Sequence, residues 1–177
     1  MKIKEIIIEN GFINLCPVTN ETIAGINTEL RNRVQWVSYR EMRIENNYDG
    51  RDYWCQMKDL SIAIVADIGT IRVRIKPGWI TDLGSVPLWA RGLIGHTNPK
   101  WILAFLIHDA CFSTNALSFE MSNDLLFAIG RHNKASWFQR FSIETAMKTS
   151  KAKSAYEKSD ASLAYEREWA SLRWDPK

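Results

Sequence analysis

Cysteines and long apolar runs are both scarce in this sequence, and each shortage excludes a class of protein. The three cysteines, Cys16, Cys55 and Cys111, are odd in number and far apart along the chain. This usage fits a reducing compartment and argues against a disulfide framework or a zinc knuckle. The longest apolar stretch, from Trp101 to Ile107, has the size of a helix core and is too short to span a membrane.

A targeting signal and a strong excess of charge are also missing. The apolar run near the N-terminus is short and is interrupted by Glu5, so we expect no signal peptide and a cytoplasmic location, unless the protein is built into an assembly. The net charge of +3 gives no indication of a nucleic-acid partner, because phosphate binding needs clustered Lys and Arg. The sequence also contains no phosphate-cradling glycine loop and no Rossmann fingerprint.

The composition is that of a globular protein with one well-packed core. The chain has 177 residues, of which 46% are hydrophobic and 24% charged, which suits a single domain. Eight tryptophans are an unusual number for this length. We expect most of them to pack in the core and the remainder to form a surface that contacts a partner.

Strand patterns dominate the first half of the chain. Residues Lys4–Ile8 are rich in β-formers, 20–31 suit a short helix or loop, and 34–44 suit an irregular strand. The clearest signal is a hairpin, in which Ser61–Ala66 and Ile71–Ile75 flank a short connection that contains Gly69. In the second arm the isoleucines and valine alternate strictly with arginines, as expected for a strand with one buried face.

Helical patterns follow. Three helices are predicted, over Lys100–Phe112, from an N-cap at Ser118 to about His132, and over about Ala135–Thr149. Strands first and helices afterwards indicate an α+β fold, with an N-terminal antiparallel sheet followed by a helical subdomain. We assign residues 1–149 to this domain and 150–177 to a C-terminal extension, which is predicted to be helical and to dock on a partner.

Two polar features lie within this framework. A turn pinned by glycine and proline carries Asp82 and Ser85, which either cap local backbone N–H groups or face a site. The pair His108-Asp109 lies in an apolar helical run, where an unpaired carboxylate is costly and needs a partner. Asp124 follows on the next helix. The cluster is either a hydrogen-bonded network that locks the turn onto the helix or a functional site.

In the functional interpretation, Asp82, His108, Asp109 and Asp124 are candidate ligands of a divalent cation such as Mg²⁺, Mn²⁺ or Zn²⁺. Ser85 and His108 are then the candidate catalytic residues. A serine triad is disfavoured because Ser85 lies in no G-x-S-x-G elbow.

Other chemistry-bearing residues are given structural interpretations. Cys111 follows His108 by one helical turn and suits a buried structural thiol better than a nucleophile. The pattern of the HD phosphohydrolases is not met, because it needs an earlier helical His and a much more distant final Asp. His96 and His132 are expected to lie on the surface.

Three segments together resemble the DUF1353 family, a family of small bacteriophage and prophage proteins of undefined function. The similarity covers residues 60–148 and rests on the segments Pro77–Pro87, Leu106–Asp109 and Asn123–Ile129. On these segments Asp82, Ser85, Pro87, His108, Asp109 and Asp124 fall on the family's polar positions. The sequence departs from the family pattern at Gly84, at Ala110-Cys111-Phe112 and at Asn123.

The resemblance implies a phage origin and leaves two classes of function. The first, which we favour, is a virion or tail-associated structural or assembly component, present in the virion or the host cytoplasm as an oligomer or assembly member. Its partners are other phage structural proteins, contacted through the Trp-rich surface and the 150–177 extension. The second is a metal-dependent hydrolase that acts on a cell-wall, nucleotide or defence-signal substrate.

Overall fold

The computed structural model describes residues 1–18, 54–81, 83, 98–148, 153 and 169–177. Across these residues the chain combines antiparallel sheets with three helices, which confirms the predicted α+β class. The strands are β1 (Ile3–Gly11), β2 (Leu15–Pro17), β3 (Trp54–Gln56), β4 (Leu60–Ala66), β5 (Gly69–Ile75), β6 (Ile80–Thr81) and β7 (Ala170–Pro176). The helices are α1 (Ile102–Thr114), α2 (Phe119–His132) and α3 (Trp137–Met147).

The larger sheet supplies one wall of the core. Its strand order is β1-β4-β5-β7 and every neighbouring pair is antiparallel. The predicted hairpin is confirmed as β4 and β5, whose apolar side chains lie opposite one another and are almost fully buried. These pairs are Leu60 with Ile75, Ile62 with Val73 and Ile64 with Ile71. The arginines between them, Arg72 and Arg74, are exposed, so the alternation in the sequence separates a core face from a solvent face.

Helix α1 covers this core and packs against α2, β5 and β7. Eight of its 13 residues are buried, which agrees with the near-continuous apolar run in the sequence. The predicted N-cap of α2 is confirmed, because Ser118 Oγ accepts a hydrogen bond from the backbone N–H of Met121 at 3.1 Å. Helix α3 begins with a capping box between Ser136 and Gln139, which fixes its first turn. The segments 20–31 and 34–44 lie outside the described residues.

A smaller sheet, ordered β2-β3-β6, is tied to the larger one by the buried side chain of Gln56. The Gln56 Nε2 donates hydrogen bonds to the carbonyl oxygens of Phe12 and Lys58, both at 2.9 Å. Its Oε1 accepts from the backbone N–H of Asn14 at 3.1 Å. The amide therefore holds the β1–β2 connection on β3.

The C-terminal residues correct one prediction. Residues 170–176 form strand β7 and not a helix, and they dock on the chain's own strand β5. The spacing of Trp169, Leu172 and Trp174 fits a loosely amphipathic helix, yet Ala170, Leu172 and Trp174 also alternate with period two. The open edge of β5 decides between the two patterns, because pairing there satisfies the backbone groups of both strands. Residues 150–152 and 154–168 of the predicted extension lie outside the described residues.

None of the described helices combines the length and the hydrophobicity that crossing a lipid bilayer requires.

Candidate functional site

The described part of the polar cluster is organised around the hydroxyl of Thr81. Thr81 ends β6, pairs with Trp54 of β3 and is buried. Its Oγ1 donates a hydrogen bond to Asp109 Oδ2 of α1 and accepts one from the backbone N–H of Leu83 at 2.8 Å. One hydroxyl thus joins the small sheet, the following turn and the central helix. A hydrogen bond to a carboxylate is stronger than a neutral one, so Asp109 is held in a defined orientation.

The turn beyond Thr81 has an unusual backbone. Leu83 is fully buried and has a φ of +54°, in the left-handed region that residues with a Cβ rarely adopt. Such a conformation costs on the order of 1 kcal/mol or more and persists only where the surroundings impose it. The burial of the Leu83 side chain and the bond to Thr81 supply that constraint. Asp82 and Ser85, the predicted site residues of this turn, lie outside the described part of the chain.

His108 is held from α2 by Asn123. The His108 Nε2 and Asn123 Oδ1 lie 3.0 Å apart, and both side chains are buried. Because an amide oxygen can only accept, Nε2 carries the proton, and in the neutral ring the lone pair resides on Nδ1. The imidazole also lies against the ring of Phe112, with ring centroids 4.5 Å apart. These contacts fix the ring in one orientation between the two helices.

Asp124 lies on the solvent-exposed side of α2. It is exposed, whereas Asn123 beside it is buried and reaches His108. Successive helical residues are rotated by about 100°, so only one of the two neighbours can face α1. The structure brings His108 together with Asn123, and Asp109 together with Thr81. It places the carboxylate of Asp124 on the solvent side of α2.

The same geometry bears on the metal hypothesis. Within the residues that the structure describes, no group of three or more His, Cys, Asp or Glu side chains is close enough to hold a metal ion. Two of the predicted ligands, His108 and Asp109, direct polar atoms at Asn123 and Thr81. Asp82 lies outside the described residues, so the predicted ligand set as a whole stays a prediction.

Cys111 has the character of a core thiol. It is fully buried, and burial raises its pKa from an ordinary value of 9.0 to about 12, against a hydrogen bond with Ser122 that lowers it. The nearby Asp109 carboxylate adds a smaller effect in the raising direction. The thiol is therefore protonated at neutral pH, which agrees with the predicted structural role, since nucleophilic attack requires the thiolate.

A second feature lies on the outer side of α3. Trp137, Phe138 and Phe141 are exposed to 70%, 47% and 61% of their surface. We call these three side chains the aromatic face. The rings of Trp137 and Phe138 pack edge to face with centroids 6.0 Å apart, so the face is preassembled in the free protein. The opposite side of the helix, which includes Ile143 and Met147, is buried in the core.

The sequence did not predict Thr81 and Asn123 as members of the polar cluster, because each lies beside a carboxylate, Asp82 or Asp124, that is the more obvious polar candidate. The spacing along α2 gives no signal that separates Asn123 from Asp124. Asn123 lies three and four residues before the buried Leu126 and Phe127, and Asp124 lies three and four residues before the buried Phe127 and Ala128. For Thr81 the useful signal is its position as the last strand residue before the turn, where a hydroxyl commonly binds a backbone N–H two residues later.

The resemblance to the DUF1353 family rests on residues named above, and among them His108 and Asp109 make the described contacts with Asn123 and Thr81. In comparisons with known proteins, no family model, no curated protein and no solved structure matches this chain, so the resemblance stays a prediction from the sequence.

Proposed function

We propose that this protein is a structural or assembly component of a bacteriophage particle and that it binds another phage structural protein through the aromatic face of α3. The observation that carries the proposal is the exposure of Trp137, Phe138 and Phe141 on one helix. Adjacent exposed aromatic side chains are uncommon on isolated domains and are typical of surfaces that become buried in a complex.

The rigidity of α3 supports this role. The capping box at Ser136 fixes the start of the helix, and Ile143 and Met147 anchor its inner side in the core. Aromatic side chains have few rotatable bonds, so a partner that covers them immobilises little that is not already ordered. The face is therefore suited to form a binding site without rearrangement.

The internal contacts of the polar cluster also support a structural role. His108 binds Asn123 of α2, and Asp109 binds Thr81 of β6. Buried polar groups that satisfy one another hold elements in a single arrangement. On this interpretation, the cluster locks the small sheet and its turn onto the two central helices.

Mass spectrometry of purified particles of the encoding phage tests the proposal directly. We expect peptides of this protein at a fixed ratio to the major structural proteins, retained after washing in high salt. Complete absence from particles and from assembly intermediates would remove the assembly role.

The aromatic face is tested by Trp137→Ser and Phe141→Ser, whose side chains are exposed and whose replacement leaves the core intact. Loss of a central aromatic contact costs on the order of 2 kcal/mol or more, so we expect at least about 30-fold weaker incorporation or partner binding. The matched control is Ile8→Ser, which changes an exposed apolar side chain, 52% exposed, on β1 and not on α3. Wild-type incorporation of both aromatic variants would contradict the proposal.

A metal-dependent hydrolase is the second candidate, and the backbone of Leu83 favours it. A buried non-glycine residue in the left-handed region, next to Asp82 in the sequence and hydrogen-bonded to Thr81, the partner of Asp109, is the kind of constraint that occurs at functional sites.

Elemental analysis of purified wild-type protein, His108→Ala and Asp124→Asn tests this candidate. Stoichiometric metal that is lost in His108→Ala supports it, and retention in Asp124→Asn excludes Asp124 from the ligands. Metal-free wild-type protein after purification in the presence of Zn²⁺, Mn²⁺ and Mg²⁺ counts against it.

A further inference from the structure

Two cysteines that are far apart in the sequence face each other in the small sheet. Cys16 of β2 and Cys55 of β3 are direct partners in the antiparallel register, between the pairs Leu15–Gln56 and Pro17–Trp54. Side chains of directly opposite residues project from the same face of a sheet. Cys16 is partly exposed and Cys55 is 4% exposed, and neither is part of a disulfide.

The hydrogen-bond pattern defines the type of pair. The backbone N–H of Met57 donates to the carbonyl oxygen of Asn14 at 2.8 Å, so the pair two residues before Cys16 is a hydrogen-bonded one. Pair types alternate along an antiparallel ladder, which makes Cys16–Cys55 a hydrogen-bonded pair as well. Such pairs have Cα atoms about 5.5 Å apart, within the range of about 4.4–6.8 Å that disulfides span.

We propose that Cys16 and Cys55 form an oxidisable dithiol, a modification site that closes to a cross-strand disulfide by exchange with a low-molecular-weight disulfide such as oxidised glutathione. The partly exposed Cys16 reacts first. Its thiolate attacks one sulfur of glutathione disulfide, forming a mixed disulfide and releasing one glutathione thiolate. The Cys55 thiolate then attacks the Cys16 sulfur, which forms the Cys16–Cys55 bond and releases the second glutathione. Two protein thiols are oxidised, one glutathione disulfide is reduced, and the two protons end on the glutathione products.

The position in the ladder makes this disulfide reversible. In a hydrogen-bonded pair the Cβ atoms are about 5 Å or more apart, whereas a disulfide holds them at about 3.8 Å. Closing the bond therefore pulls the two strands out of ideal geometry, and strained disulfides are reduced more readily than structural ones. The dithiol form is expected under reducing conditions, and the disulfide under mildly oxidising ones.

Formation of the Cys16–Cys55 disulfide affects the polar cluster through strand β3. β3 lies between β2 and β6, with Cys55 opposite Ile80 and Trp54 opposite Thr81. A covalent link from β2 to β3 thus braces the strand that positions Thr81 against Asp109. The oxidised protein should consequently unfold at a higher temperature than the reduced one, by roughly 5 °C for a bond that closes a long loop.

The experiment uses the full chain in glutathione buffers of increasing oxidising power, followed by rapid blocking of free thiols. We expect intact mass to show the loss of two hydrogen atoms, peptide mapping to join Cys16 to Cys55, and dithiothreitol to reverse both changes. Cys111 is fully buried and should remain a thiol throughout, so Cys111→Ser should behave as the wild type.

The Cys16→Ser and Cys55→Ser variants should form no intramolecular disulfide. Oxidation should therefore not raise the unfolding temperature of either variant. If either fails to fold, the peptide map of the wild-type protein still decides the question. A glutathione adduct on Cys16 that does not resolve, a disulfide-linked dimer, or free thiols at Cys16 and Cys55 in the most oxidising buffer would each overturn the proposal.

Discussion

At the scale of single residues, the hydroxyl of Thr81 links α1 to the turn after β6, because it acts as a hydrogen-bond donor and an acceptor at once. It donates to Asp109 and accepts from Leu83. We expect Thr81→Val, which keeps the shape of the side chain, to destabilise the protein by about 1–3 kcal/mol, because a buried N–H and a carboxylate each lose a partner. Urea denaturation of the variant and the wild type measures this loss.

A double-mutant cycle separates the Thr81–Asp109 bond from other effects. We expect Thr81→Val and Asp109→Ala to be non-additive, with a coupling of about 1 kcal/mol or more. Thr145→Val is the matched control, because the Thr145 hydroxyl donates only within α3, to the Phe141 carbonyl, and is exposed. Strictly additive losses for the first pair would contradict a direct bond.

The residues of the cluster illustrate what a sequence can and cannot predict at this scale. The importance of His108 and Asp109 followed from their apolar neighbours, since buried polar groups need partners. The identity of those partners did not follow. The predicted partners were the acidic residues Asp82 and Asp124, whereas their neutral neighbours Thr81 and Asn123 make the described contacts. A hydroxyl or an amide satisfies a buried polar group without adding a second charge to bury, so a neutral side chain can be the partner of a buried His or Asp.

At the scale of elements, the packing of α1 against α2 depends on the absence of a side chain at Gly130. A Cβ added at Gly130 would lie within 3.0 Å of three atoms of the six-membered ring of Trp101, inside the van der Waals envelope of the indole. We expect Gly130→Ala to destabilise the protein by about 1–3 kcal/mol, although alanine favours helices, because overpacking forces the two elements apart. Thermal and urea unfolding measure the change.

Replacement of Trp101 by phenylalanine, which has a smaller ring, provides the control for Gly130→Ala. In a Trp101→Phe background the added methyl group has room, so the cost of Gly130→Ala should shrink or vanish. Trp101 is fully buried and stacks on Phe105, so Trp101→Phe alone should also destabilise by creating a cavity. Equal costs of Gly130→Ala in both backgrounds would show that the ring is not the obstacle.

Elements with a local signal were predictable and elements defined by distant pairing were not. The β4–β5 hairpin and the start of α2 followed from alternation, a turn glycine and a capping serine. Strands β3 and β6 have three and two residues, too few for any periodicity to be recognised. They are strands because Cys55 pairs with Ile80 and Trp54 pairs with Thr81, and this pairing exists only in the assembled sheet.

At the scale of the whole molecule, the chain closes on itself. Strand β7, from the end of the chain, completes the sheet that begins with β1 and also packs on α1. The class of fold was predictable, because strand patterns precede helical ones. The return of the C-terminal segment to β5 was not, since the same apolar residues fit a helix or a strand until an open sheet edge is present.

The last strand should therefore be essential for the stability of the domain. Removal of residues 170–177 exposes the edge of β5 and uncovers Ile71, Val73 and Ile75, which face Trp174, Leu172 and Ala170 in the register. The loss of backbone pairing and apolar cover amounts to several kcal/mol, so we expect the midpoint of thermal unfolding to fall by roughly 10 °C or more. The unpaired edge should also promote self-association, visible by size-exclusion chromatography. Removal of Pro176 and Lys177 alone is the control, because it deletes a single register pair, Gly69 with Pro176, and should shift the midpoint only slightly. A monomeric truncated chain with the wild-type midpoint would mean that β7 is an accessory to the sheet and that the core is complete without it.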